Sequence, residues 1–334
     1  MIKKERLEYI INIAKKKEFI KVSDFLPFVN TDRTTIYRDM KELLVQWNLI
    51  QVKKWVYKYK QNPKDYLKIP FFRRPKITYN FDFLGKYIPN STTFFSKEQL
   101  NSLESKIETL WIHTDFYTNN KRLIENILID LTYSSSFLEW NTYDYLDTEV
   151  LVKFNKIAED KSKDETQMIL NHKKVIEYIM YYKNELDYNK KTFFEVHSVL
   201  WENLLQKEYL WVVRNKMVEI WGCAYTPLDN GFQLNEQFEQ FLNTLKQIKN
   251  PFEQSLFILV FIPYFQLFMD INKRTSRMLC NLPFLKNNLP LFSLLWVDPK
   301  EYITAILAIY ELNDVSLLAW IYVENYLLNI NRYT

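Results

Sequence analysis

Three glycines in 334 residues, Gly85, Gly222 and Gly231, constrain this chain more than any other feature. Glycine supplies the left-handed backbone of tight turns and lets main chain approach a phosphate closely. A chain with so few cannot carry a Gly-rich phosphate loop, which excludes a Walker or Rossmann fingerprint. It is also too poor in glycine for a sheet-rich protein. Leu, Ile, Lys and Glu are abundant, and aromatics make up 17% of the residues. These features predict a mainly helical, well-packed protein, long enough for two domains and a sizeable core.

The two cysteines, Cys223 and Cys280, lie far apart without metal-ligand neighbours. A disulfide framework is not expected, and a reducing cytoplasm is the natural compartment. The N-terminus alternates charged and apolar residues, unlike a signal peptide. The longest apolar run, Ser255 to Phe265, is too short to span a bilayer and contains Pro263, so it reads as a buried core helix with no membrane partner. His113, His172 and His197 share no spacing and make no zinc site; each reads as a structural residue.

The net charge of +4 hides an asymmetry. Residues 1–60 hold 14 Lys/Arg against 7 Asp/Glu, a net of +7 that leaves −3 for the remainder. A basic N-terminal module on a mildly acidic body points to a polyanion partner for the module alone, or to a solvated Lys-rich surface. Apolar spacing from Arg6 to Ala14 predicts a first helix, followed by a short second one capped by Ser23 or Asp24. Thr31 or Asp32 then caps a third helix over Arg33–Leu44, with Ile36, Met40, Leu43 and Leu44 inward. Leu49 to Lys60 reads as a β-hairpin with Lys53 and Lys54 at its basic tip. Three helices and a hairpin is the winged-helix plan for residues 1–62, and Thr35-Ile-Tyr-Arg-Asp39 resembles the recognition helix of DeoR-type regulators. The resemblance implies DNA contact through Arg33, Thr34, Tyr37, Arg38, Lys53 and Lys54, the alternative being a protein-interaction module. Residues 63–105 carry Pro63, Pro70, Pro75, Gly85 and Pro89 and read as a linker that becomes a docked extension. Phe71, Phe72, Tyr79, Phe81 and Phe83 there require burial, or would support a homodimer if exposed.

Helical periodicity dominates residues 106–334. The segment Gln266-Leu-Phe-Met-Asp270-Ile-Asn272-Lys273-Arg274-Thr-Ser-Arg277 resembles the signature of the Fic family, H-x-F-x-[D/E]-G-N-G-R-x-x-R, with Gln266 at the His position. Three further landmarks extend the resemblance over roughly Tyr79 to Tyr333. Ser135-Ser136-Phe-Leu-Glu139 resembles the inhibitory motif, with Trp140 where Gly or Asn is expected; on a helix, Ser135 and Glu139 share a face. Asn171-His172 resembles the family's Asn-His helix. Arg214 to Pro227, with Val218, Ile220, Gly222 and Tyr225, predicts a β-hairpin resembling the family's flap, which aligns a target segment by strand addition. Glu139 could instead make a surface contact, and the hairpin could be purely stabilising.

The resemblance implies a Fic/Fido domain: all-helical with a small β-hairpin flap, binding ATP and Mg²⁺ and transferring AMP to a protein hydroxyl. It implies phosphates at a helix N-terminus beginning at Asn272, held by Asn272, Lys273, Arg274 and Arg277, with Asp270 as the Mg²⁺ ligand. Glu139 would pair with Arg277 and obstruct the terminal phosphate. Ile271 and Lys273 replace the signature's glycines, and Lys273 resembles the Doc kinases, which retain the His. Gln266 is the departure that matters most, because a carboxamide has no useful pKa for accepting a proton. The function therefore stays open between an autoinhibited, impaired nucleotidyltransferase, an inactive nucleotide-sensing DNA-binding regulator, and an interaction scaffold.

Overall fold

The computed structural model describes residues 2–45, 49–60, 62–109, 121–204 and 207–332. His113 and the far end of the resemblance, Tyr333, lie outside the described residues. The chain divides into two compact units, residues 1–73 and 74–334. Among the described residues no helix is long and apolar enough to cross a membrane.

In the first unit, α1 (Lys3–Lys16) and α2 (Arg33–Val45) are followed by strands β1 (Leu49–Lys53) and β2 (Val56–Tyr59), paired antiparallel, and by the short helix α3 (Pro63–Tyr66). Asp32 caps α2, its carboxylate accepting from the Thr35 N–H at 2.8 Å. The second helix expected near Ser23 and Asp24 is a single 3-10 turn, Val22–Asp24. Both residues lie inside that turn, and Asp24 accepts from the Lys21 N–H, so the cap closes on three residues and nothing propagates. Backbone bonds between Ile20 and Tyr57, 2.8 and 2.9 Å, add an isolated bridge to the hairpin. Ile10, Ala14, Ile20, Phe25, Ile36, Met40, Leu43 and Tyr57 form the core. Arg6 reaches the buried Asp39 at 2.7 Å and ties α1 to α2. Phe71 and Phe72 pack on each other, centroids 5.8 Å apart, yet stay exposed, against the expectation that they require burial.

The second unit opens with β3 (Ile77–Thr78), α4 (Phe81–Gly85), α5 (Lys97–Thr109), α6 (Lys121–Phe137), α7 (Tyr145–Phe154), α8 (Lys163–Tyr181) and α9 (Lys190–Trp201). It continues through β4 (Tyr225–Thr226), α10 (Gly231–Gln247), α11 (Pro251–Phe265), α12 (Asn272–Leu279), α13 (Leu282–Lys286), α14 (Pro299–Leu312) and α15 (Ser316–Ile330). Asn250 caps α11 and Pro251 starts it, a pairing suited to a helix N-terminus. From Phe252 to Phe265 every residue of α11 is buried, so this helix, apolar all round, is the centre of the unit. The hydrophobic run read as a core helix is this element. Helices α10, α12, α13 and α14 pack around it, and α6, α8 and α9 complete the layer that supports α12. From the docked extension, Tyr79 is buried and Phe83 lies 4.9 Å from Phe261, while Phe81 remains on the surface beside Tyr79.

The hairpin expected over Arg214–Pro227 does not close. Val218 and Ile220 belong to no ladder, Trp221-Gly222 form a turn, and Tyr225–Thr226 instead pair in parallel with Ile77–Thr78. The reason is competition for backbone groups. The Arg214 N–H is taken by the Leu267 carbonyl at 3.1 Å and the Ile77 N–H by Ala224, leaving no second strand in register.

Candidate functional site

The site is built where α11 stops and α12 starts. Gln266 ends α11 in left-handed backbone, φ 47. Leu267 to Asp270 then turn the chain, and Ile271 begins α12, also left-handed at φ 65. A β-branched residue there is unfavourable by roughly 1–2 kcal/mol, which explains why the signature favours glycine at this position. Burial of the Ile271 side chain and the Asp270 Oδ1 contact to its N–H, 2.6 Å, hold the conformation. Lys273, in place of the second glycine, lies within helical α12 and carries no such strain.

Asn272 is buried and committed to the loop. Its Oδ1 accepts from the Phe268 N–H at 2.8 Å, and its Nδ2 donates to the Phe268 carbonyl at 2.9 Å and to Gln266 Oε1 at 3.2 Å. Both amide hydrogens are thereby used, and the side chain is a clamp across the turn rather than a group directed at a phosphate. Its backbone N–H remains at the start of α12 with those of Lys273 and Arg274, the unsatisfied donors that make a helix N-terminus attractive to anions. Gln266 is equally engaged: Nε2 donates to the Pro263 carbonyl at 2.8 Å and to the Tyr310 hydroxyl at 3.0 Å. The carboxamide is an organiser of this turn.

Cations gather beyond it. Arg277, almost fully buried, donates from Nε to Ser135 Oγ at 3.0 Å, from Nη2 to the Ser135 carbonyl and to Glu139 Oε1 at 2.7 Å, and from Nη1 to the Tyr302 hydroxyl. Lys273 Nζ lies 3.5 Å from the other Glu139 oxygen. The predicted Glu139–Arg277 pair is present, and Lys273 makes it a three-residue cluster. Burial works to raise the Glu139 pKa, but Arg277, Lys273 and Arg274 outweigh it and hold the carboxyl below its usual value. Arg274 is buried, which lowers its pKa, and its Nε has no hydrogen-bond partner among the described residues.

Glu139 does not lie on the helix that carries Ser135. Helix α6 ends at Phe137, and Glu139 sits in the following turn, closed by its own N–H to the Ser136 carbonyl at 2.9 Å. Trp140 takes left-handed backbone, φ 63, in the place where Gly or Asn was expected, and that residue stops the helix. Asp270 is exposed with one oxygen on the Ile271 N–H. Among the described residues no cluster of three His, Cys, Asp or Glu could hold a metal. A lone carboxylate fits only an ion that brings its remaining ligands, as Mg²⁺ does with phosphate oxygens and water.

Four residues support the site: His172 and His197, read from sequence as structural, and Tyr310 and Arg214, whose roles the sequence reading did not assign. His172, fully buried, lies 3.2 Å from Ser135 Oγ and 2.9 Å from Ser136 Oγ, bracing the end of α6. His197 stacks on Phe268, ring centroids 3.8 Å apart, with Nε2 3.3 Å from the Asp270 carbonyl. Burial depresses both, His172 well below the ordinary value with help from Arg274 and Arg277, and His197 to about 3. Tyr310 and Arg214 fasten Gln266 from two sides. Only the histidines carried any signal, as rare residue types on apolar helix faces; the tyrosine and arginine are unremarkable in sequence.

Residues 186–284, which include α9 and the α11–α12 loop, match the model of the Fic/DOC family. A Fic family protein from Desulfovibrio desulfuricans has a similar structure, with TM-score 0.60 and 14% identity over 74% of this chain and 77% of that one. Fic-1 from C. elegans matches with TM-score 0.58 and 17% identity over 71% of each chain. A Fic-domain-containing signaling protein from Bacteroides thetaiotaomicron matches with TM-score 0.55 and 16% identity over 70% of this chain and 96% of that one. No curated protein matches the sequence. At these identities the likeness establishes a fold, that of Fic proteins, around a Fic/DOC-matching core.

Proposed function

We propose that this Fic-fold body binds the phosphates of ATP with Mg²⁺ at the N-terminus of α12 and transfers AMP to a protein hydroxyl only slowly. The observation that carries the reading is the carboxylate of Glu139, gripped by Arg277 and Lys273 beside an Arg274 whose Nε has no partner among the described residues. Three cations and a helix N-terminus converge where an internal carboxylate already stands, the arrangement of an anion site held shut by its own chain. Arg274 and the first N–H groups of α12 would take phosphate oxygens, and Asp270 would hold Mg²⁺, which would neutralise charge on the phosphates. In the transfer a target hydroxyl oxygen forms a bond to the α-phosphorus, pyrophosphate departs, and the hydroxyl proton must be accepted by a base. Gln266 stands where the resemblance expects that base. Its amide can orient a hydroxyl but cannot take its proton, and loss of a positioned base costs ~10²–10⁴-fold in rate. The unpaired stretch around Val218, Ile220 and Gly222 is the natural place for an extended target, while Tyr225 is buried and already paired with Ile77.

Incubation with α-labelled ATP tests this. Label on the protein or a partner is expected to be faint for the natural chain and stronger for Glu139→Gly and for Gln266→His. Absence of label from all three defeats the transfer reading.

The commitment of both Gln266 amide hydrogens favours a second reading, a nucleotide-sensing regulator without transfer. The first unit then contacts DNA as a winged helix. Arg33, Thr34 and Arg38 are exposed on α2, Lys53 and Lys54 on the hairpin, and Arg33 and Tyr37 pack on Trp55 at 6.0 and 4.9 Å, uniting helix and wing in one basic surface. Binding would weaken with salt by about 0.9 log per log for each phosphate contact. Retention of duplex DNA should fall at least tenfold in Arg33→Ala/Arg38→Ala; unchanged retention rules this surface out.

A further inference from the structure

Arg214 is a buried cation, only 2% exposed, that makes no direct contact with a carboxylate among the described residues, Asp229 acting on it only at longer range. Its guanidinium instead donates to four main-chain carbonyls from two segments. Nε donates to Gln266 and Nη2 to Phe265 at 3.4 Å, at the end of α11, while Nη1 donates to Lys216 at 2.7 Å and Nη2 to Leu228 at 2.6 Å, in the 214–228 segment. The Arg214 N–H adds a bond to Leu267. The last carbonyls of a helix lack intrahelical donors and carry the negative end of its dipole, which is what makes this position tolerable for a buried cation. Apolar capping would have sufficed to end α11; a planar fork spanning two segments does more, because its bonds hold only while both segments keep one relative position.

We propose that Arg214 is a positioning residue that locks the 214–228 segment to the turn at Gln266, so that the two move as one body. The far end of the segment is fastened separately, Arg74 donating to the Gly222 carbonyl and Glu311 accepting from the Ala224 N–H. The stretch between, with Met217 and Trp221 exposed at 59% and 96%, is the part left accessible. An extended ligand laid along it would thus act on the Gln266 turn through Arg214. The functional consequence rests on the target-docking reading of this segment; the mechanical lock does not.

Hydrogen exchange measured by mass spectrometry on the full chain, without nucleotide, separates the two. In Arg214→Lys, which keeps the charge but loses the fork, exchange is expected to rise roughly tenfold or more both in peptides covering 214–228 and in those covering 263–272, the factor carried by losing one charge-assisted hydrogen bond. Peptides from α8 and α15 should not change. Arg214→Gln, neutral, shorter and with two donors against the three of lysine, should give a larger rise in the same two regions. A rise confined to one region, or spread through the whole unit, overturns the lock. If the lock holds but ATP labelling fails in every variant described above, the transfer reading falls and the positioning role stands.

Discussion

Glu139→Gln should raise the affinity for ATP with Mg²⁺ by on the order of 100-fold, while making the nucleotide-free protein less stable by about 3 kcal/mol. Both effects come from one carboxylate. In the resting protein its oxygens lie 2.7 Å from Arg277 Nη2 and 3.5 Å from Lys273 Nζ. A phosphate approaching the same cations to within about 4 Å of that carboxylate meets repulsion near 4 kcal/mol at an effective dielectric of 20, reduced by solvent on its open side. Removing the charge removes the repulsion and frees Lys273. It also strands Arg277, whose other acceptors, Ser135 and Tyr302, are neutral, and a buried charge that loses its partner destabilises the fold. An anion bound in the same place restores the balance, so ATP should raise the melting temperature of the variant far more than that of the natural chain. Titration calorimetry and paired melts measure the two quantities. Equal affinities in the two proteins would mean that Glu139 does not guard the phosphate site.

Acidification should unfold the second unit with a slope near 3 kcal/mol per pH unit below about pH 6.5. His172 and His197 are both buried and neutral, with folded pKa values pushed down by burial, that of His197 to about 3. For a group depressed in the folded state, the stabilisation is fully present above its unfolded pKa, about 6.5 for His, and is lost as the pH falls toward the folded value. Each histidine contributes about 1.4 kcal/mol per unit over that window. Glu139, also depressed, adds to the loss only below its unfolded value of 4.5, so the onset near neutrality belongs to the histidines. Urea titrations at pH 7, 6 and 5 would measure the slope, and His197→Gln should halve it. Stability that stays level from pH 7 to pH 5 would contradict the neutral, buried assignment. The first consequence is local, since His172 braces Ser135 and Ser136 and His197 supports the Asp270 loop: protonation should loosen the Glu139 cluster before the unit unfolds.

Much of the site was legible because its chemistry is linear. Asp270 through Arg277 occupy consecutive turns, and a start of helix at Asn272 follows from the apolar run ending at Phe265. The pairing of Glu139 with Arg277, 138 residues apart, was legible only through the family resemblance. Where the reading erred, the cause was competition between partners that a sequence does not rank. Asn272 had the right chemistry for a phosphate, yet the Phe268 backbone and Gln266 claim its amide. The Arg214–Pro227 stretch alternates like a hairpin, yet its backbone bonds go to Leu267 and Ile77.

By itself the sequence determined the elements and their chemistry: a glycine-poor helical chain, an all-round apolar central helix, a basic N-terminal module, and a cation-rich helix start preceded by the amide of Gln266. Those properties depend on residue type and short-range spacing, which a chain carries wherever it folds. Only the tertiary structure decided which groups are spent on one another. It set Lys273 as a second hold on Glu139, Arg214 and Tyr310 as the fasteners of Gln266, and Ile271 in a strained left-handed turn. These follow from packing, because a buried donor or acceptor must take whichever partner the surrounding helices bring within reach.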